Sequence, residues 1–97
     1  MNRSQAKKCT QIAEVYGSRA QEQQAVSELT ELQYVLTRRP SQREWGWHDQ
    51  LIDEIADVLI MIEQLKALHR IADEAVSGRI DYKLQRQLDR ISKGDRK

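Results

Sequence analysis

Between Asp49 and His69 apolar residues recur on almost every side of a helical wheel, and two acids are written in among them. Leu51, Ile52, Ile55, Val58, Leu59, Ile60, Met61, Ile62, Leu65 and Leu68 are too many for one amphipathic stripe, so the segment is expected to be a central helix covered on most faces. Glu54 and Asp57 lie inside that run. An isolated buried charge carries a large desolvation cost, so each of these carboxylates must stay hydrated, find a cationic partner or bind a metal. Asp53 points about 100° away from Glu54 and reads instead as a helix N-terminal acid favoured by the dipole.

The rest of the chain also reads as helix. One proline and four glycines punctuate 97 residues, while Leu, Gln, Glu, Arg, Ala and Ile recur at helical spacing. Ser4 is placed to cap a first helix carrying Ile12, Val15 and Tyr16, which Gly17 ends. A second helix is expected from Ser18, with Gln21 in the capping-box position, to about Arg38, where Arg39-Pro40 stops it. Its apolar line is Ala25, Leu29, Leu32 and Leu36, flanked by Val26 and Val35. A loop follows with Trp45-Gly46-Trp47 and a minor cap at Ser41 paired with Glu44. The third helix runs from about Asp49 to His69, and the pattern then weakens through Gly78. A last helix spans Asp81 to about Ser92, with Leu84, Leu88 and Ile91 expected to face inward and a frayed basic tail over 93–97. There is no internal repeat and no low-complexity segment.

The class expected is therefore all-α, a single domain built as a bundle of about four helices. So short a chain has little core of its own, and covering the third helix calls for more partners than its neighbours offer. Self-association as a dimer or tetramer is expected to complete the bundle. A net charge of +1 gives no broad attraction to nucleic acid or membrane, and Arg38, Arg39 and Arg43 near the tryptophans do not outweigh it. No apolar run approaches the roughly 18 residues of a membrane span, and the polar start lacks a signal peptide's apolar centre. The lone Cys9 has no internal disulfide partner and reads as a packing residue. A cytoplasmic protein is the expectation.

Four acids carry the chemistry. Glu28 and Glu31 are three apart on the second helix, Glu54 and Asp57 three apart on the third, so each pair projects from one helical edge. With Glu28 at zero, Leu32 falls near 40°, Leu29 near 100° and Glu31 near 300°; from Glu54, Val58, Ile55 and Asp57 take the same angles. Packing the two apolar stripes together would bring four carboxylates into one place. Oxygen ligands on rigid helices suit a hard divalent cation, Mg²⁺ or Mn²⁺, with positions left for water and phosphate. His48 and His69 match no zinc spacing, and the Glu-x-x-His pairs of a di-iron bundle are absent from the sequence. Against this stands the reading of acid pairs as solvated helix faces.

At these residues the chain resembles the MazG-like all-α nucleoside triphosphate pyrophosphohydrolases, whose signature is Glu-x-x-Glu on one helix and Glu-x-x-Asp on the next. Here the motifs are Ser27-Glu28-Leu29-Thr30-Glu31-Leu32 and Glu54-Ile55-Ala56-Asp57-Val58. Ser27 stands where many members carry a further Glu. The resemblance runs from about Tyr16-Gly17 to Ile91, and the size is similar to the short single-domain phage and bacterial members. It implies Mg²⁺-dependent hydrolysis of a nucleoside triphosphate between the α and β phosphates, with Glu28, Glu31, Glu54 and Asp57 as ligands and Glu28 or Glu31 also activating water. It makes Lys83 and Arg86, on the basic side of the last helix with Arg90, the candidates for phosphate contact. Trp47 or Trp45 offers a flat ring to a base, and Gln21 and Gln24 precede the first acid pair toward sugar or base. Two other readings stay open: a noncatalytic helical oligomerisation module, and the same fold acting on another nucleotide such as phosphoribosyl-ATP.

Overall fold

The computed structural model describes residues 1–94 of the chain, and 95–97 of the expected basic tail lie outside them. Four α-helices follow in order: α1 (Arg3–Tyr16), α2 (Ser18–Leu36), α3 (Trp47–Leu68) and α4 (Asp73–Ser92), with a 3₁₀ turn at Pro40–Gln42. Among the described residues there is no strand. The all-α expectation holds, and several helix ends differ from those read in the sequence.

Asn2, not Ser4, caps α1. Its Oδ1 accepts from the Gln5 amide at 2.8 Å while Gln5 Oε1 accepts from the Asn2 amide at 2.9 Å, a reciprocal pair that satisfies two exposed donors. Gly17 closes α1 and opens α2 in one residue, its amide donating to the Ala13 carbonyl and its carbonyl accepting from the Gln21 amide. Only its φ of 85°, which glycine adopts without steric cost, lets two helices meet so abruptly. Gln21 is thereby freed from capping duty. Its side chain is buried and donates from Nε2 to Gln64 Oε1 at 2.6 Å.

The helix pair α2 and α3 forms the main interface, and α1 lies mostly against α3. Gln21 meets Gln64 near one end of the pair, and Trp47 donates from Nε1 to the Val35 carbonyl at 3.0 Å near the other, so the two helices run antiparallel. The core is small: Cys9 and Ala13 from α1, Ala25 and Val35 from α2, Val58 and Met61 from α3. Arg39 is extended before Pro40, as the proline ring requires, and Ser41 makes no capping bond. Gly46, at φ 90°, lets α3 begin at Trp47, two residues ahead of the expected start.

The last helix departs furthest from expectation. It starts at Asp73 rather than Asp81, because Asp73 and Glu74 supply first-turn acids to its positive end and Gly78 is carried within it. Leu84, Leu88 and Ile91 do not face inward: they are 59%, 58% and 57% exposed, and no residue of α4 is buried. The turn before it explains why. Arg70 takes a positive φ of 55°, the Ile71 amide donates to the Lys66 carbonyl, and Lys66 Nζ holds both Glu63 (2.7 Å) and Asp73 (2.8 Å). The start of α4 is thus fixed to the end of α3, and the rest leads away from the other helices.

Candidate metal centre

The matched i, i+3 spacing on two antiparallel helices brings acids together as the wheel geometry requires. Glu28 of α2 with Glu54 and Asp57 of α3 each offer one carboxylate oxygen, and the three oxygens lie within 4.8 Å of one another. Glu31 falls outside this set of three. Its charge still reaches the group, since among neighbouring acids it is the strongest influence on Glu54.

Glu54 is the residue under greatest constraint. Its Oε2 is shut off from solvent and accepts no hydrogen bond, the one buried side-chain oxygen or nitrogen so placed among the described residues. A buried oxygen without a donor costs the full desolvation of that group. Burial pushes the Glu54 carboxyl above its usual value, and the charges of Glu31, Asp57, Glu28 and Asp53 push the same way. Glu28 is also raised, first by burial and then by Asp57, with which it shares a hydrogen bond. Gln24 opposes this, donating from Nε2 to Glu28 Oε1 at 2.9 Å and favouring the ionised form.

No basic residue answers these acids. Among the described residues the ion pairs are Lys66 with Glu63, Lys66 with Asp73, and His69 with Glu22 at 2.7 Å, none of which touches the cluster. Three carboxylates converging without a cation, one with an orphaned buried oxygen, make a donor set suited to a hard divalent ion.

The other residues singled out from sequence are placed differently. Gln24 touches Glu28 and orients it. Gln21 is in the core, bonded to Gln64, which sequence reasoning passed over although a Gln inside the apolar run of α3 was the signal for it. Trp47 packs: its indole N–H is taken by Val35 and the Arg43 guanidinium lies 3.9 Å from its ring centre. Trp45 is 102% exposed. Lys83 and Arg86 are exposed on α4, Arg86 over the Tyr82 ring at 5.7 Å, and neither pairs with the acids of its own chain.

No family model matches the chain, and no curated protein or solved structure matches it. No helix among the described residues is long and apolar enough to cross a membrane.

Proposed function

We propose that the chain binds Mg²⁺, or Mn²⁺, through Glu28, Glu54 and Asp57 and hydrolyses a nucleoside triphosphate between its α and β phosphates, releasing the monophosphate and pyrophosphate. The observation that carries this reading is the buried, unpartnered Oε2 of Glu54 within a converging set of three acids. The motif order Glu28-x-x-Glu31 then Glu54-x-x-Asp57, similar to that of MazG-like enzymes, supports the choice of reaction.

When bound, the metal would neutralise polyphosphate charge and lower the pKa of an attacking water. The chain's own residues do the rest. Gln24 holds Glu28 in its ionised form, ready to act as a ligand. Glu31, the acid left outside the converging three, is assigned the proton of the attacking water, a role that needs a carboxylate near the ligands but not committed to them. Lys83 and Arg86 are proposed as phosphate contacts; α4 leads away from its own bundle, so they would reach a nucleotide from a second copy in a self-associated dimer or tetramer.

Pyrophosphate release from a panel of canonical and modified nucleoside triphosphates, with Mg²⁺ and with chelator, tests the reading. Glu54→Gln is expected to abolish Mg²⁺-dependent turnover with the helical spectrum intact; retained turnover would sink it. A noncatalytic helical module would give no turnover and no Mg²⁺-dependent heat with nucleotide.

A further inference from the structure

One face of α4 and one groove of the bundle are both left without a partner, and they fit each other. Taking Leu84 as zero and 100° per residue, Ile80, Leu88 and Ile91 fall within about 40° of it, a narrow apolar stripe. Asp81 and Asp89 border that stripe on one side, Lys83, Arg86 and Arg90 on the other. Helices of this length are marginal alone in water and take their stability from packing an apolar face. This stripe packs on nothing in its own chain: Ile80, Leu84, Leu88 and Ile91 are each about half exposed or more.

The groove lies between α1 and α3 and encloses about 680 Å³. Met1, Ile12, Leu59, Ile60 and Ile62 supply its apolar surface, and all five remain substantially exposed. Its α1 wall carries Lys8. Its α3 wall carries Glu63, part of a Glu63–Lys66–Asp73 cluster with one more acid than base.

We propose that α4 of a second copy of this chain lies in the α1/α3 groove, and that the exchange is reciprocal. Charge selects one orientation, with the Asp81 and Asp89 edge against Lys8 and the Lys83, Arg86 and Arg90 edge toward Glu63. Lengths agree: the stripe from Ile80 to Ile91 is about 17 Å and the α3 wall from Ala56 to Lys66 about 15 Å, both at 1.5 Å per residue. A chain's own α4 does not reach its own groove, because the Lys66–Asp73 pair and the turn at Arg70 direct it outward. Two such contacts remove roughly 600–1,000 Å² of apolar surface. With little more than half of an interface apolar, the whole is on the order of 1,000–1,800 Å², the size of a stable association. The contact is isologous and closes as a dimer.

This deepens the self-association included in the proposed function but is read out by mass, so it stands or falls apart from hydrolysis. Light scattering after size exclusion should give twice the 11.4 kDa of one chain for the natural protein. Leu84→Glu with Leu88→Glu should give 11.4 kDa species with the helical spectrum kept. As a second arm independent of that variant's folding, Lys8→Glu should weaken dimerisation a few-fold, and adding Asp81→Lys with Asp89→Lys should restore it. A monomeric natural protein would overturn the proposal. So would a dimer that survives the α4 substitutions, or one lost on Leu59→Glu but indifferent to Lys8→Glu, since α3 faces would then be pairing with each other.

Discussion

Gln21 and Gln64 join α2 to α3 through a 2.6 Å hydrogen bond between two side chains that are both buried. Each satisfies an amide that would otherwise be desolvated without a partner, so the pair is worth more together than either residue alone. Gln21→Ala or Gln64→Ala is expected to cost about 1–3 kcal/mol, most of it the penalty on the stranded partner. Replacing both by leucine should cost less than the two single changes added. Urea unfolding followed by helical ellipticity measures all three, and additive single costs would show that the pair is not coupled.

Much of this was legible in the sequence, and what was not has a physical cause. The acid cluster follows from the i, i+3 spacing on two stripes that must pack, so Glu28, Glu54 and Asp57 converge as their periodicity requires. Glu31, on the same edge of α2, is about one turn further along and falls outside the three. Leu84, Leu88 and Ile91 show a limit of another kind: a stripe says that a face must be covered but not by which chain. Gln21 illustrates a third, since a polar residue in the first turn of a helix reads as a cap unless its partner 43 residues away is known.

The acid cluster gives stability a specific pH dependence. The carboxyls of Glu28 and Glu54 are raised above the usual 4.5 by burial and by neighbouring acids. The folded protein therefore holds these protons more tightly than the unfolded chain, so in the absence of metal the cluster costs stability at neutral pH. That cost is relieved as pH falls through the folded pKa values and is gone below the unfolded ones. Glu54→Gln should accordingly raise the Tm of metal-free protein at pH 7, and the gain should shrink toward pH 4.5. Scanning calorimetry in chelator checks this; a gain that grows as pH falls would contradict it.

Trp47 offers a separate test of packing. Its indole N–H bonds to the Val35 carbonyl and its ring lies under Arg43, near the opposite end of the α2–α3 pair from Gln21. Trp47→Phe keeps a ring for Arg43 but strands the carbonyl, and should cost about 1 kcal/mol in urea unfolding. Trp45→Ala, which removes a fully exposed ring, should change stability by less than about 0.5 kcal/mol.

The most direct measurement is the product analysis of a nucleoside triphosphate incubated with the natural protein and with Glu54→Gln, in Mg²⁺ and in chelator. Monophosphate and pyrophosphate in equal amounts, formed only with Mg²⁺ and only by the natural protein, are the expected products. No turnover of any triphosphate by the natural protein, release of orthophosphate instead, or equal turnover by Glu54→Gln would contradict the assignment.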